Sequence, residues 1–184
     1  MLLGASASLS DLTGDESYLV LGARTLDAVI NRMTMSDTPD DYILTEPFDL
    51  RVTDTHCDAQ HDPSASGGGD LFSFKGVFMQ EMPRFLAAAK HVMKPQQIEK
   101  ATKLVADSAD AAWQHRATPP FPESDVCNEF TSPPLPEDAP PKFTWDWRPL
   151  PGHPLLTCMD SRTQSQALSL FVAALRIEHL RVVT

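Results

Sequence analysis

Two long stretches that disfavour helices divide this chain, and apolar residues at helical spacing fill the rest. Most of the 16 prolines lie between residues 118 and 154, where they exclude long helices. Residues 37–69 are polar and rich in turn-forming residues apart from Tyr42-Ile43-Leu44. The sequence therefore predicts an all-α protein of about five helices, long loops at 37–69 and 118–160, and no convincing sheet.

Five segments carry apolar residues at the spacing of an amphipathic helix. Their stripes are Leu2, Ala5, Leu9 and Leu12; Tyr18, Leu19, Ala23, Leu26, Ile30 and Met33; Phe74, Phe78, Met82, Phe85, Leu86 and Ala89; Ile98, Ala101, Leu104, Val105, Ser108 and Ala112; and Ala167, Leu168, Phe171, Ala174 and Leu175. We expect the second to fifth stripes to be buried. The residues of the first stripe lie on one face of their helix. Pro83 removes a hydrogen bond inside the third helix, so we expect a kink or a break near Met79–Met82.

Residues typical of helix ends mark several boundaries. Gly14 suits a left-handed C-terminal cap, and Asp15 suits the N-cap of the next helix, which predicts a very short helical hairpin. Pro95 is placed to open the fourth helix, and Ser161 with Gln164 forms a capping-box pattern before the fifth.

Composition excludes several classes of function. The formal net charge is −10, from 15 basic and 25 acidic residues, so nucleic acid and anionic membranes are not expected partners. No apolar run is long enough to span a membrane, and the first five residues lack the basic and apolar segments of a signal peptide. The three cysteines, Cys57, Cys127 and Cys158, allow one disulfide or none.

Two polar clusters in the first long loop suggest chemistry, and both are better explained as solvated loop. Asp40-Asp41 is the only adjacent aspartate pair, but it follows Pro39 in a polar segment. The histidines, cysteine and aspartates of residues 56–62 lack the paired spacing typical of zinc ligands. We therefore expect no metal site and no cofactor.

Five motifs, in order, resemble the C-terminal half of glycoside hydrolase family 76, the endo-α-1,6-mannanases. They are Leu9–Tyr18, similar to an inter-helix turn; Ile43-Leu44-Thr45-Glu46-Pro47; Phe74-Lys75-Gly76-Val77-Phe78; the aromatic segment with Phe143 and Trp147; and Thr163-Gln164-Ser165-Gln166-Ala167-Leu168. The resemblance covers nearly the whole chain. Gln80, where the family usually has a basic residue, and Pro83 depart from its pattern.

The resemblance implies part of an (α/α)6 barrel, with residues 1–184 as a single partial domain. It also implies an enzyme that hydrolyses α-1,6-mannosidic bonds in mannan and is secreted or associated with the cell wall. The adjacent aspartates that the family uses in catalysis are not matched here, so the resemblance assigns no catalytic residue to this chain. Glu46, Asp70, Lys75 and Trp147 are its candidate mannan-binding residues.

Each candidate residue has a structural alternative. Glu46 would hold a helix end, and Asp70, after the glycines 67–69, would cap one. Lys75 would lay its stem on Phe72 or Phe78, and Trp147 would plug the edge of the core. Gly76, costly inside a helix, predicts close packing against a neighbouring helix.

Three functions follow from these observations. The first is a mannanase-like protein that is inactive without the missing aspartates. The second is a non-catalytic helical module that binds carbohydrate or another protein. The third is a truncated gene product with exposed apolar faces.

Overall fold

The computed structural model describes residues 2–35, 42–45, 74–116, 118, 141, 143, 147 and 161–182. Within them the helices are α1 (Leu2–Thr13), α2 (Ser17–Arg32), α3 (Phe74–Ala89), α4 (Pro95–Gln114) and α5 (Ser161–Val182). Two short strands, β1 (Thr34–Met35) and β2 (Ile43–Leu44), pair antiparallel, with Thr34 opposite Leu44. The all-α prediction is confirmed, and α4 and α5 begin where Pro95 and Ser161 predict.

Helix α3 contacts α5, α1 and α2. Helix α2 contacts its hairpin partner α1 and also α4, and α4 packs on α5. In this part of the chain, no helix is long and apolar enough to cross a membrane.

The turn between α1 and α2 has the predicted short form, but the N-cap of α2 is Glu16, one residue after the predicted Asp15. Gly14 adopts a φ of 71°, and its amide donates to the carbonyl of Ser10 at 2.8 Å. The Asp15 carboxylate accepts the amide of Ser17 at 2.9 Å, at the first residue of α2. This hydrogen bond to the charged form lowers the pKa of Asp15 below its ordinary value of 3.8.

The central helices bury the predicted stripes. Fully or nearly fully buried side chains include Leu19, Ala23, Leu26 and Ile30 of α2, Met82, Phe85, Leu86 and Ala89 of α3, and Ala101, Leu104, Val105, Ser108 and Ala112 of α4. Each of these three helices has one clearly apolar face, so the spacing of its apolar residues predicts which side is buried.

The two outer helices differ. Helix α1 buries small residues, among them Gly4, Ser6 and Ala7, and exposes the stripe of Leu2, Leu9 and Leu12. In α5 the prediction that Leu168 and Leu175 are buried is wrong, since they are 65% and 72% exposed. The buried α5 residues are Gln166, Ala167, Leu170, Ala173 and Ile177. Helix α5 is apolar over a wide arc, so spacing alone does not select which side meets the core.

Helix α3 continues through Pro83, so of the predicted kink or break near Met79–Met82 the break is wrong, and the kink stays a prediction. Proline costs the helix one hydrogen bond, to the carbonyl of Met79. Burial of Met79, Met82 and Phe85 on the core side holds the flanking turns in place and offsets that loss.

Helix α4 fastens the β2 segment through two side chains. The carboxylate of Asp107 accepts the amide of Tyr42 at 2.7 Å and is paired with Lys103 at 2.9 Å. The hydroxyl of Ser108 accepts the amide of Leu44 at 3.0 Å. The two paired residues of each strand agree with the expectation of no convincing sheet, and strands this short leave no period in the sequence to detect.

Candidate functional site

Lys75, the second residue of α3, is almost completely buried. Only 2% of the residue is exposed, and its ammonium nitrogen lies 5.0 Å from the centre of the Trp147 indole ring. Trp147 is itself 2% exposed and belongs to the hydrophobic core. The structure therefore brings together two of the four candidate residues, from distant motifs.

Contact with an aromatic face helps an ammonium group tolerate burial. Removing a charge from water is costly unless other groups replace the lost hydration. The negative face of an indole does this in part, and a desolvated cation–π contact is worth about 2 kcal/mol. Trp147 thus both fills the edge of the core, as its structural alternative predicts, and faces a cation.

Gly76 lets α3 approach α5 closely, as predicted. A Cβ atom placed on Gly76 would lie 2.8 Å from the Cα of Gln166, a distance that real side chains essentially never show. Gly76 therefore lies on the face of α3 that meets α5, whereas the next residue, Val77, is exposed. The side chain of Gln166 consequently lies directly against the residue that follows Lys75.

Two of these buried side chains have polar atoms without partners. Among the described residues, the indole nitrogen of Trp147 and both amide atoms of Gln166 make no hydrogen bond. A buried polar group left in this way costs about 1–3 kcal/mol. Such groups call for an explanation, and retention for a ligand or for catalysis is one recognised reason.

The segment that carries Trp147 is anchored at Phe143. The Gln164 side chain accepts the Phe143 amide at 3.1 Å and donates to its carbonyl at 2.8 Å. The Phe143 ring packs on Phe171 of α5 at 5.1 Å and on Trp113 of α4 at 6.2 Å. These hydrogen bonds and ring contacts together hold Phe143 against α4 and α5.

Glu46 and Asp70 lie outside the described residues, as do Phe72, Asp40-Asp41, the cluster at 56–62 and the three cysteines. Within the part that is described, no group of three His, Cys, Asp or Glu side chains could hold a metal ion. The expectations at those other positions stay predictions.

Gln166 was not among the candidate residues. In the sequence, only its position directly before Ala167, near the start of an apolar helix, distinguishes Gln166. That signal is weak, because a glutamine near a helix start is usually exposed. Only its contact with Gly76 shows that this glutamine points inward.

We compared the chain with known proteins. No family model, curated protein or solved structure matches it. Function is therefore inferred from the geometry around Lys75 and from the motif resemblance.

Proposed function

We propose that this chain is a glycoside hydrolase family 76-like protein that forms one wall of a groove for α-1,6-linked mannan. The observation that carries the proposal is the meeting of Lys75, Trp147 and Gln166. They come from three separate motifs of the resemblance: Lys75 contacts Trp147, and Gln166 packs against Gly76, the residue next to Lys75. Similarity in sequence alone does not require distant motifs to converge in space.

The chemistry of the three side chains suits a sugar. Pyranose hydroxyls accept from an ammonium or an indole N–H, and a carboxamide both donates and accepts. The unpartnered atoms of Trp147 and Gln166 have hydrogen-bonding capacity of this kind, but both residues are 2% exposed, so the wall must open when the sugar binds. Glu46 and Asp70 complete the proposed mannan-binding set, and the five helices represent part of an (α/α)6 barrel.

Hydrolysis of a glycosidic bond needs two carboxyl groups that flank the bond. We propose no such pair within residues 1–184, so the chain by itself binds mannan without cleaving it. The second candidate function is a non-catalytic carbohydrate-binding module. It would use the same binding site and differs from the first only in not being related to the mannanases.

Calorimetric titration with an α-1,6-linked mannotetraose tests the proposal. We expect saturable binding to the full chain, weakened at least about fivefold by Lys75→Ala and unchanged by Lys100→Ala, an exposed lysine on α4. Turnover of α-1,6-mannan at enzyme-like rates would show that the assignment of no catalytic residue is wrong.

Gln166→Met separates a ligand role from a structural one. Methionine matches the unbranched shape of glutamine and removes two unpartnered polar atoms, so the variant should be more stable by about 1 kcal/mol. If Gln166 is kept for sugar, the more stable variant binds mannotetraose more weakly. Unchanged affinity in this variant, or the absence of binding to the unsubstituted chain, would refute the mannan-binding wall.

A further inference from the structure

Helix α5 exposes a second apolar stripe on the side away from Gln166. Leu168, Val172 and Leu175 are 65%, 37% and 72% exposed, and His179 continues the line. Their spacing of four, three and four residues is the seam along which one helix packs against another. The stripe extends about 16 Å, or three helical turns.

The stripe borders a groove between α5 and α3. The groove has a volume of about 440 Å³, and its apolar lining comes from Pro83, Ala87, Val172 and Leu175. Pro83 lies on the groove side of α3, so its ring contributes an apolar surface there without a backbone donor.

The acid–base side chains that line the groove are all basic, in a chain whose net charge is −10. They are Arg84, Arg176 and His179. Arg84 donates to the Ser8 hydroxyl at 3.0 Å and lies 3.6 Å from Asp11, with half of its side chain exposed. Arg176 is exposed and forms no ion pair with an acidic side chain in the described ranges.

We propose that the α3–α5 groove binds an amphipathic helix of a partner protein, with apolar residues at four-three spacing flanked by Asp or Glu. The seam spacing argues for a helix, and the basic rim argues for acidic flanks. A second copy of α5 suits the groove poorly, since Arg176 would meet a basic surface. This inference is independent of the mannan proposal.

Fluorescence anisotropy with labelled designed peptides tests the groove in the full chain. The probe is a 21-residue helix (about three heptads) with leucine at the seam and glutamate beside it, and the matched peptide carries lysine in place of each glutamate. We expect the glutamate peptide to bind at least about tenfold more tightly, and to weaken with added salt.

Substitutions then locate the site. Leu175→Asp and Arg176→Glu should each weaken binding of the glutamate peptide about tenfold, and Arg176→Glu should improve binding of the lysine peptide. Leu12→Asp, at a leucine of α1 that is 82% exposed, is the control and should change nothing. All three positions are exposed, so the variants should fold.

Four results would overturn the proposal. Equal binding of the two peptides, or no binding of either, would exclude an acidic helix. Self-association of the chain in sedimentation velocity, abolished by Leu175→Asp, would assign the groove to a second copy. Binding to phosphatidylglycerol vesicles that Arg176→Glu abolishes, without peptide binding, would assign it to a lipid surface.

Discussion

The ammonium nitrogen of Lys75 lies 5.0 Å from the centre of the Trp147 ring, and each residue is only 2% exposed. Burial excludes the solvated lysine that a position near a helix start usually indicates. The contact also ties α3 to the aromatic segment that Phe143 anchors on α4 and α5. The stability of this junction can be tested directly.

Lys75→Ala should lower the free energy of unfolding by about 2 kcal/mol or more, because it removes the cation–π contact and leaves a cavity beside Trp147. Urea denaturation followed by far-UV circular dichroism measures the change. Lys100→Ala, on the exposed face of α4, should remain within about 0.5 kcal/mol. Equal losses for the two variants would contradict a structural role for the contact.

Gly76→Ala should destabilise the protein by about 1–3 kcal/mol, although alanine favours helices by about 1 kcal/mol over glycine. The new Cβ would lie 2.8 Å from the Cα of Gln166, a backbone atom that moves only if α5 moves. Thermal unfolding measures the effect, with the exposed Gln80→Ala on the same helix as control. A more stable Gly76→Ala variant would mean that the two helices are not closely packed there.

Asp15 should make stability depend on pH. Its pKa is lowered in the folded protein by the hydrogen bond from the Ser17 amide, so its contribution is present at neutral pH. The contribution is lost as the pH falls below 3.8 and through the folded pKa. The stability advantage of the unsubstituted protein over Asp15→Asn should therefore shrink in that range, as measured by urea denaturation at several pH values. A constant difference in stability between the two proteins across this range would contradict the role of the Ser17 hydrogen bond.

Asp107→Ala should release the segment around β2. The substitution removes the acceptor of the Tyr42 amide and the partner of Lys103, so the Tyr42 amide should exchange with solvent at least about tenfold faster. Hydrogen exchange by NMR resolves this amide from that of Leu44, which Ser108 holds. Protection of Tyr42 that persists in the variant would show that Asp107 is not its anchor.

The amphipathic period was sufficient for the central helices, where apolar and polar faces are distinct. Residues such as Leu26 and Leu104 are buried as predicted, and the turn at Gly14-Asp15 follows from local chemistry. The period was insufficient for α5, where Leu168 and Leu170 are equally apolar, yet only Leu170 is buried. A helix with two apolar sides offers two ways to pack, and its neighbours choose between them.

The residues of the candidate site were likewise predicted only in part from the sequence. Lys75 and Trp147 are candidates through the motif resemblance, and Gly76 is singled out by its cost inside a helix. Gln166 did not stand out, since its inward position depends on contact with a helix far away in the chain.

By itself the sequence determined the helical content, the hairpin turn and the starts of α4 at Pro95 and of α5 at Ser161, because these depend on residues within a few positions of one another. The tertiary structure decided that α3 continues through Pro83, which face of α5 is buried, and that Lys75 lies over Trp147. These outcomes depend on burial and close contact between distant segments, whose free energies exceed the local preferences that they oppose.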